Sequence, residues 1–340
     1  MTRSLKRCLP SRFHRLMVRM ESIERRLASN IDLLHLNLGV LFLLAWLSAA
    51  CSRATPTAPP PPPPPAVEYF AAWGTHGNGP GQLDVPVAMA VDNDSNLLIA
   101  DAGSGYIQKF FLNGEPRLSF QDDRWNVHPT DVAVDGGGAI YVADGRRGSI
   151  LIYWPDGSYY NELRTGVPPA ARSSMRIAVD SHGALYVAAK QPFGIRRFTS
   201  GLRLDGTWGG GSGGDMKLEN PVALGVGTDG SVYVGEAEHP EIKVFGTAGG
   251  FERTLSIPSG AADTRFSGIA TNAKFVFAVD ARCPVVYAWT LDGAYRLRED
   301  LSSWISGGVE AQRKMVIAPS EELLILDPLG WRVLRFHLHL

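Results

Sequence analysis

The chain has 340 residues, with 33 Lys and Arg against 34 Asp and Glu and a formal net charge of −1. Eight of the basic residues and only three of the acidic ones fall in residues 1–50, so the remainder carries 25 basic against 31 acidic side chains, a formal charge of −6. Nucleic-acid affinity rests on clustered Lys and Arg, so a mildly acidic domain of this kind excludes RNA and DNA as expected partners.

Residues 1–50 read as a targeting segment, a basic leader followed by an apolar run from Leu38 to Ala50. A helix needs roughly 20 residues to cross a bilayer core, and Asp32, His35 and Asn37 block extension of the run backwards, so a signal segment is favoured over a permanent span. The junction Leu47-Ser-Ala-Ala-Cys51 resembles a bacterial lipoprotein lipobox, although Ser48 stands where that pattern has Leu. The resemblance implies acylation of Cys51 and a membrane-anchored chain on the periplasmic or cell-surface side; ordinary signal cleavage is the alternative. Residues 51–66 form a linker that includes the unbroken run Pro59 to Pro65. Such a run is a polyproline II rod, roughly 22 Å long at about 3.1 Å per residue, and it reads as a stalk.

From residue 67 onward one pattern recurs six times: an apolar strand, a turn, a second apolar strand closing on an acidic residue, then two more strands. The clearest copies are Val87-Ala-Met-Ala-Val-Asp92 with Leu97-Leu-Ile-Ala-Asp101, and Thr130-Asp-Val-Ala-Val-Asp135 with Ala139-Ile-Tyr-Val-Ala-Asp144. Later copies put the first landmark at Asp180, Gly227, Asn272 and Ser320, so it recurs at a nearly even interval from Asp92 to the end of the chain. A four-stranded propeller blade consumes about 40 to 50 residues, which matches that interval and predicts an all-β, six-bladed β-propeller over residues 67–340. Turn chemistry agrees: Asn113-Gly114, Asp156-Gly157 and Asp292-Gly293 supply the positive φ of tight hairpins. The chain ends on a third strand, Val333 to Leu340, and Val67 to Trp73 precedes the first blade as an orphan fourth strand. Pairing of the two is expected to close the ring and remove its open edge.

The blades resemble the NHL repeat family, with a TolB-like ring as the implied fold. The resemblance is carried by Trp73-Gly, Gly79-Pro-Gly-Gln-Leu83, Pro86 and Ile107-Gln-Lys-Phe110, repeated as Trp208-Gly, Leu218-Glu-Asn-Pro221 and Ile242-Lys-Val-Phe245. Blades three, five and six depart from it. The family holds binding platforms, sensors and a few enzymes, so the likeness speaks to fold more than to function.

Blade two also resembles the propellers of peptidyl-hydroxyglycine lyases, which hold zinc on three histidines just after the Pro that opens the innermost strand. The corresponding positions are Val87, Thr130, Met175, Val222, Ser267 and Met315, none a good zinc ligand, so no cofactor is expected. Acidic residues end the second strand in five blades, Asp101, Asp144, Glu236, Asp280 and Asp327, with Ala189 in the sixth. They are expected to cap their own loops, with a cation-binding ring as the alternative. On the loop face, Arg124, Trp125, Arg146, Arg147, Phe193, Arg282, Trp304 and Trp331 are the residue types that anchor interfaces. The expected function is non-enzymatic binding of a protein, peptide or glycan by a monomeric propeller at the cell envelope. The alternative is a propeller enzyme, a lyase or lactonase, with a divalent metal held in the channel.

Overall fold

The computed structural model describes residues 66–122, 124, 126–168, 171, 175–190, 193–210, 214–258, 263–305 and 311–340. The chain divides into two units, Met1–Pro64 and Pro65–Leu340. The targeting segment, Cys51 and the proline run lie outside the described residues, as does Trp125. Among the described residues no helix is long and apolar enough to cross a membrane.

Twenty-four strands form six four-stranded antiparallel sheets. After β1 (Val67–Trp73), blade one holds β2 (Pro86–Val91), β3 (Asn96–Asp101), β4 (Ile107–Phe111) and β5 (Pro116–Phe120). Blade two holds β6 (Pro129–Val134), β7 (Ile140–Asp144), β8 (Ser149–Tyr153) and β9 (Tyr159–Arg164). Blade three holds β10 (Arg176–Val179), β11 (Leu185–Ala189), β12 (Gly194–Phe198) and β13 (Leu204–Trp208). Blade four holds β14 (Pro221–Val226), β15 (Val232–Glu236), β16 (Glu241–Phe245) and β17 (Phe251–Ser256). Blade five holds β18 (Phe266–Thr271), β19 (Phe275–Asp280), β20 (Val285–Thr290) and β21 (Tyr295–Asp300). Blade six joins β22 (Lys314–Ile317), β23 (Leu323–Asp327) and β24 (Arg332–Leu338) to β1.

The first strands of successive blades contact one another in an unbroken circle, β2 to β6, β10, β14, β18, β22 and back to β2. The protein is a six-bladed β-propeller. The second strands β3, β7, β11, β15 and β23 are buried along their whole length, because neighbouring blades cover both their faces, whereas the outermost β21 alternates half-buried and exposed. Closure follows the expected pairing: β1 runs antiparallel to β24, from Val67 opposite Leu338 to Trp73 opposite Val333.

A repeated contact locks three of the blades to the next. Trp73 lies over Gly114, where a Cβ would come within 2.4 Å of its ring; Phe120 covers Gly157 at 2.7 Å, and Trp208 covers Gly249 at 2.6 Å. These glycines all have φ between 83° and 93°, so each must both turn left-handed and leave room for an aromatic ring from the preceding blade. Trp73 also donates Nε1–H to the Leu112 carbonyl at 2.9 Å.

Four of the six innermost strands open with an irregular step. Register shifts follow Pro86, Pro129, Pro221 and Phe266, so Val87, Thr130, Val222 and Ser267 bulge. In blade six Lys314 pairs with Leu326, one residue before the strand-ending Asp327, as Ala88 pairs with Ala100 before Asp101. The blade-six equivalent of Val87 is therefore Arg313, and the expected Met315 is off by two. No Pro opens that blade, so the sequence carries no marker for its register.

Candidate functional site

Opposite the last but one residue of the second strand, the six blades place a residue at the same level of the ring: Ala88, Asp131, Arg176, Ala223, Gly268 and Lys314. Three are charged and three are small. Asp131, Arg176 and Lys314 line a channel of about 280 Å³ walled by the innermost strands of all six blades.

The charges are held by backbone, not by each other. Arg176 donates from Nε to the Val222 carbonyl at 2.8 Å and from Nη1 to the carbonyls of Met175 at 2.8 Å and Thr130 at 3.4 Å. Asp131 accepts the N–H of Val132 at 3.0 Å and of Ile177 at 2.9 Å. Lys314, only 7% exposed, donates from Nζ to the Ser267 carbonyl at 2.8 Å and to the same Val222 carbonyl at 3.4 Å. Arg176 Nε and Lys314 Nζ are therefore neighbours around a single acceptor oxygen. Burial and then the Arg176 charge push the Lys314 ammonium down to about 7, with Asp131 pulling the other way. Burial also lowers the Arg176 guanidinium, again opposed by Asp131. The Ser267 hydroxyl is buried at the same level without a hydrogen-bond partner.

A site with one carboxylate and two cationic side chains suits an anion, not a metal ion. Among the described residues no group of three His, Cys, Asp or Glu is positioned to hold a metal. The zinc-ligand positions of the lyase propellers carry, with register corrected, Val87, Thr130, Met175, Val222, Ser267 and Arg313. A three-histidine zinc site does not fit these residues.

Four of the five strand-ending carboxylates accept backbone N–H groups, while Asp327 instead pairs with the Arg332 side chain at 3.2 Å. Asp101 accepts the N–H groups of Asp84, Val85, Gly103 and Ser104 at 2.7 to 3.1 Å. Asp144 accepts from Arg146 and Arg147, Glu236 from Glu219 and Asn220, and Asp280 from Arg265 and Arg282. Each caps its own loops, and burial raises the Asp280 carboxyl.

The interface residues expected on the loop face are not brought together around the channel. Arg124 is exposed, forked onto Asp122 at 2.7 and 2.8 Å, and lies 4.2 Å over the Tyr159 ring at the rim of blade two. Arg147 pairs with Glu162 at 3.1 Å. Arg146 is exposed with its amide tied to Asp144, and Arg282 reaches the Asp263 carboxylate at 3.6 Å. Phe193 is 4% exposed and belongs to the core between blades two and three, under the Arg196 guanidinium, so it presents no anchor to a partner. Trp304 stacks on Tyr69 at 5.8 Å and packs into the core of blades five and six. Trp331 stays 37% exposed, 4.2 Å from His76, with Nε1–H on the Asp84 carbonyl. The channel residues were missed by sequence reasoning, yet they leave a signal: Asp131, Arg176 and Lys314 are charges set at the head of otherwise apolar innermost strands.

No family model matches the chain. The Caenorhabditis elegans protein described as "Probable peptidyl-alpha-hydroxyglycine alpha-amidating lyase pgal-1" is 25% identical over 221 residues, 59% of this chain and 61% of that one. The chain thus spans about three fifths of that relative's length. Among solved structures, a streptogramin B lyase superposes with TM-score 0.56 at 12% identity over 80% of this chain and 98% of its own. Virginiamycin B lyase from Staphylococcus aureus gives 0.55 at 14% identity over 74% and 80%. A chain of a nidogen/laminin complex gives 0.51 at 17% over 64% and 81%. At these identities the structural likenesses establish the ring alone, and that ring serves named lyases and a protein complex alike.

Proposed function

We propose that this chain is an exported NHL-type binding propeller whose axial channel takes the carboxylate end of a peptide or acidic glycan. The observation that carries this reading is Arg176, a guanidinium bonded only to backbone carbonyls, with Lys314 around the same acceptor oxygen and small residues on the three remaining blades. A half-buried cation without a contacting counter-ion favours an incoming anion, and a planar guanidinium suits a carboxylate. Calorimetric titration of the full chain tests it. A short peptide with a free C-terminal carboxylate should bind at least tenfold tighter than its C-terminal amide, about 1.4 kcal/mol, and Arg176→Met should erase the difference. Equal affinity for acid and amide would remove this reading.

The names of the relatives favour a lyase as a second reading. A metal-dependent version lacks donors here, since the channel acid Asp131 is engaged by two backbone amides and faces two cationic side chains. Elemental analysis of the same preparation, purified without chelator, separates the two, because one tightly bound divalent ion per chain would restore the lyase.

A further inference from the structure

We propose that Lys314 is a nucleophilic amine that captures the carbonyl carbon of a 2-oxo acid, whose neighbouring carboxylate is held by Arg176. This deepens the channel reading above and rests on it. The geometry around Nζ carries the argument. Two carbonyls, Ser267 and Val222, accept from it. A neutral amine has two N–H donors, so both are engaged and the lone pair remains for an electrophile.

The second group is in range. The Val222 carbonyl oxygen accepts from Arg176 Nε at 2.8 Å and from Lys314 Nζ at 3.4 Å, so one atom bridges the two cationic groups. In a 2-oxo acid the carboxylate and carbonyl carbons are directly bonded, and one ligand can therefore meet both side chains. Ala223 and Gly268 line the channel beside Lys314, and a Cβ on Gly268 would press to 3.1 Å on the backbone of the neighbouring strand at Lys314 Cα. A channel of about 280 Å³ admits a short acid of this class. The Ser267 hydroxyl, one residue before Gly268, is buried without a partner beside the carbonyl that Lys314 bonds.

Protonation agrees with the geometry. Burial and Arg176 lower Lys314 to about 7 against the opposing pull of Asp131, so near neutral pH a large share of the side chain is free amine. Among the described residues the other buried lysine is Lys109, which is paired to Asp92 at 3.2 Å and is no competitor. The step needs no outside reagent: the C–N bond forms, the carbonyl C–O bonds break, and the oxygen leaves as water with both amine protons, giving an imine.

Pyruvate with cyanoborohydride at pH 7 is the test, on the full chain with peptide mapping by mass spectrometry. The expected result is one reduced adduct, on Lys314, that propionate competes away. Arg176→Met should raise the pyruvate concentration for half-labelling at least tenfold, and Lys314→Met should lose the adduct. Adducts spread over exposed lysines without Lys314, or labelling that propionate leaves unchanged, overturn the proposal. The wild-type map decides without any variant, so a misfolded substitution cannot mask the answer. If propionate binds in calorimetry and no adduct forms, the imine falls and the carboxylate channel stands; if propionate does not bind either, both fall.

Discussion

A lysine in water keeps its proton to about pH 10.4; Lys314, closed in by strands and facing Arg176, gives it up at about 7. Folding therefore works against protonation at this residue. Between about pH 7 and 10.5 the unfolded chain binds a proton that the folded chain has released, so stability rises with pH across that window, by up to about 1.4 kcal/mol per pH unit. At lower pH both states carry the proton and the full penalty applies. Urea unfolding at pH 7, 8, 9 and 10 should show the midpoint climbing more steeply in the wild type than in Lys314→Met. Parallel slopes would mean that the amine is not buried as described. This group was beyond sequence reading because a Lys at the head of a strand looks the same whether it faces solvent or a channel, and only the sixth blade's register decides which. Phe193 shows the converse, an aromatic in a loop that reads as exposed and is core.

At the scale of elements, most of the ring was legible. The alternation of apolar runs with Asn-Gly and Asp-Gly turns locates the blades, and the orphan strand at Val67 pairs as its sequence requires. What the motif conceals is its purpose. Trp73-Gly reads as a signature, but its physics is the indole resting on Gly114 of the next blade, a contact between distant stretches of chain that no local pattern displays. Loss of β1 should be severe. It strips the partner from β24 and removes Val67 and Trp73, large-to-small core losses that each cost about 2–4 kcal/mol, against a total stability of about 5–15 kcal/mol. A chain lacking residues 66–73 should melt without a cooperative transition or elute as oligomers joined at the bare edge. A monomer with an unchanged melting temperature would show that closure is dispensable.

For the molecule as a whole, the ring is one of two units, and the chain before it is distinct in composition. We read Leu47-Ser-Ala-Ala-Cys51 and the seven prolines as anchor and stalk, which would hold the propeller off a membrane. An alkyne-tagged fatty acid fed to expressing cells should label the wild-type chain and leave Cys51→Ala unlabelled and released from the membrane pellet. Equal labelling, or none in either, would leave ordinary cleavage as the account of the leader. A binding channel on such a stalk would meet its ligand on the periplasmic or cell-surface side.

The closing strand also sets a clock. Glu68 and His339, in hydrogen-bond contact, are 271 positions apart, and Ala66 bonds to the same His339. Synthesis runs from the N-terminus, so β1 emerges first and its partner last. Five blades can form in turn from local hairpins, yet β1 has to wait for β24 before it is paired. Throughout that interval the ring is an open arc with two sticky edges. The ring's greatest exposure to misassembly comes before β24 is available, and a pause or truncation near residue 330 would leave a nearly finished propeller with nothing to pair with β1.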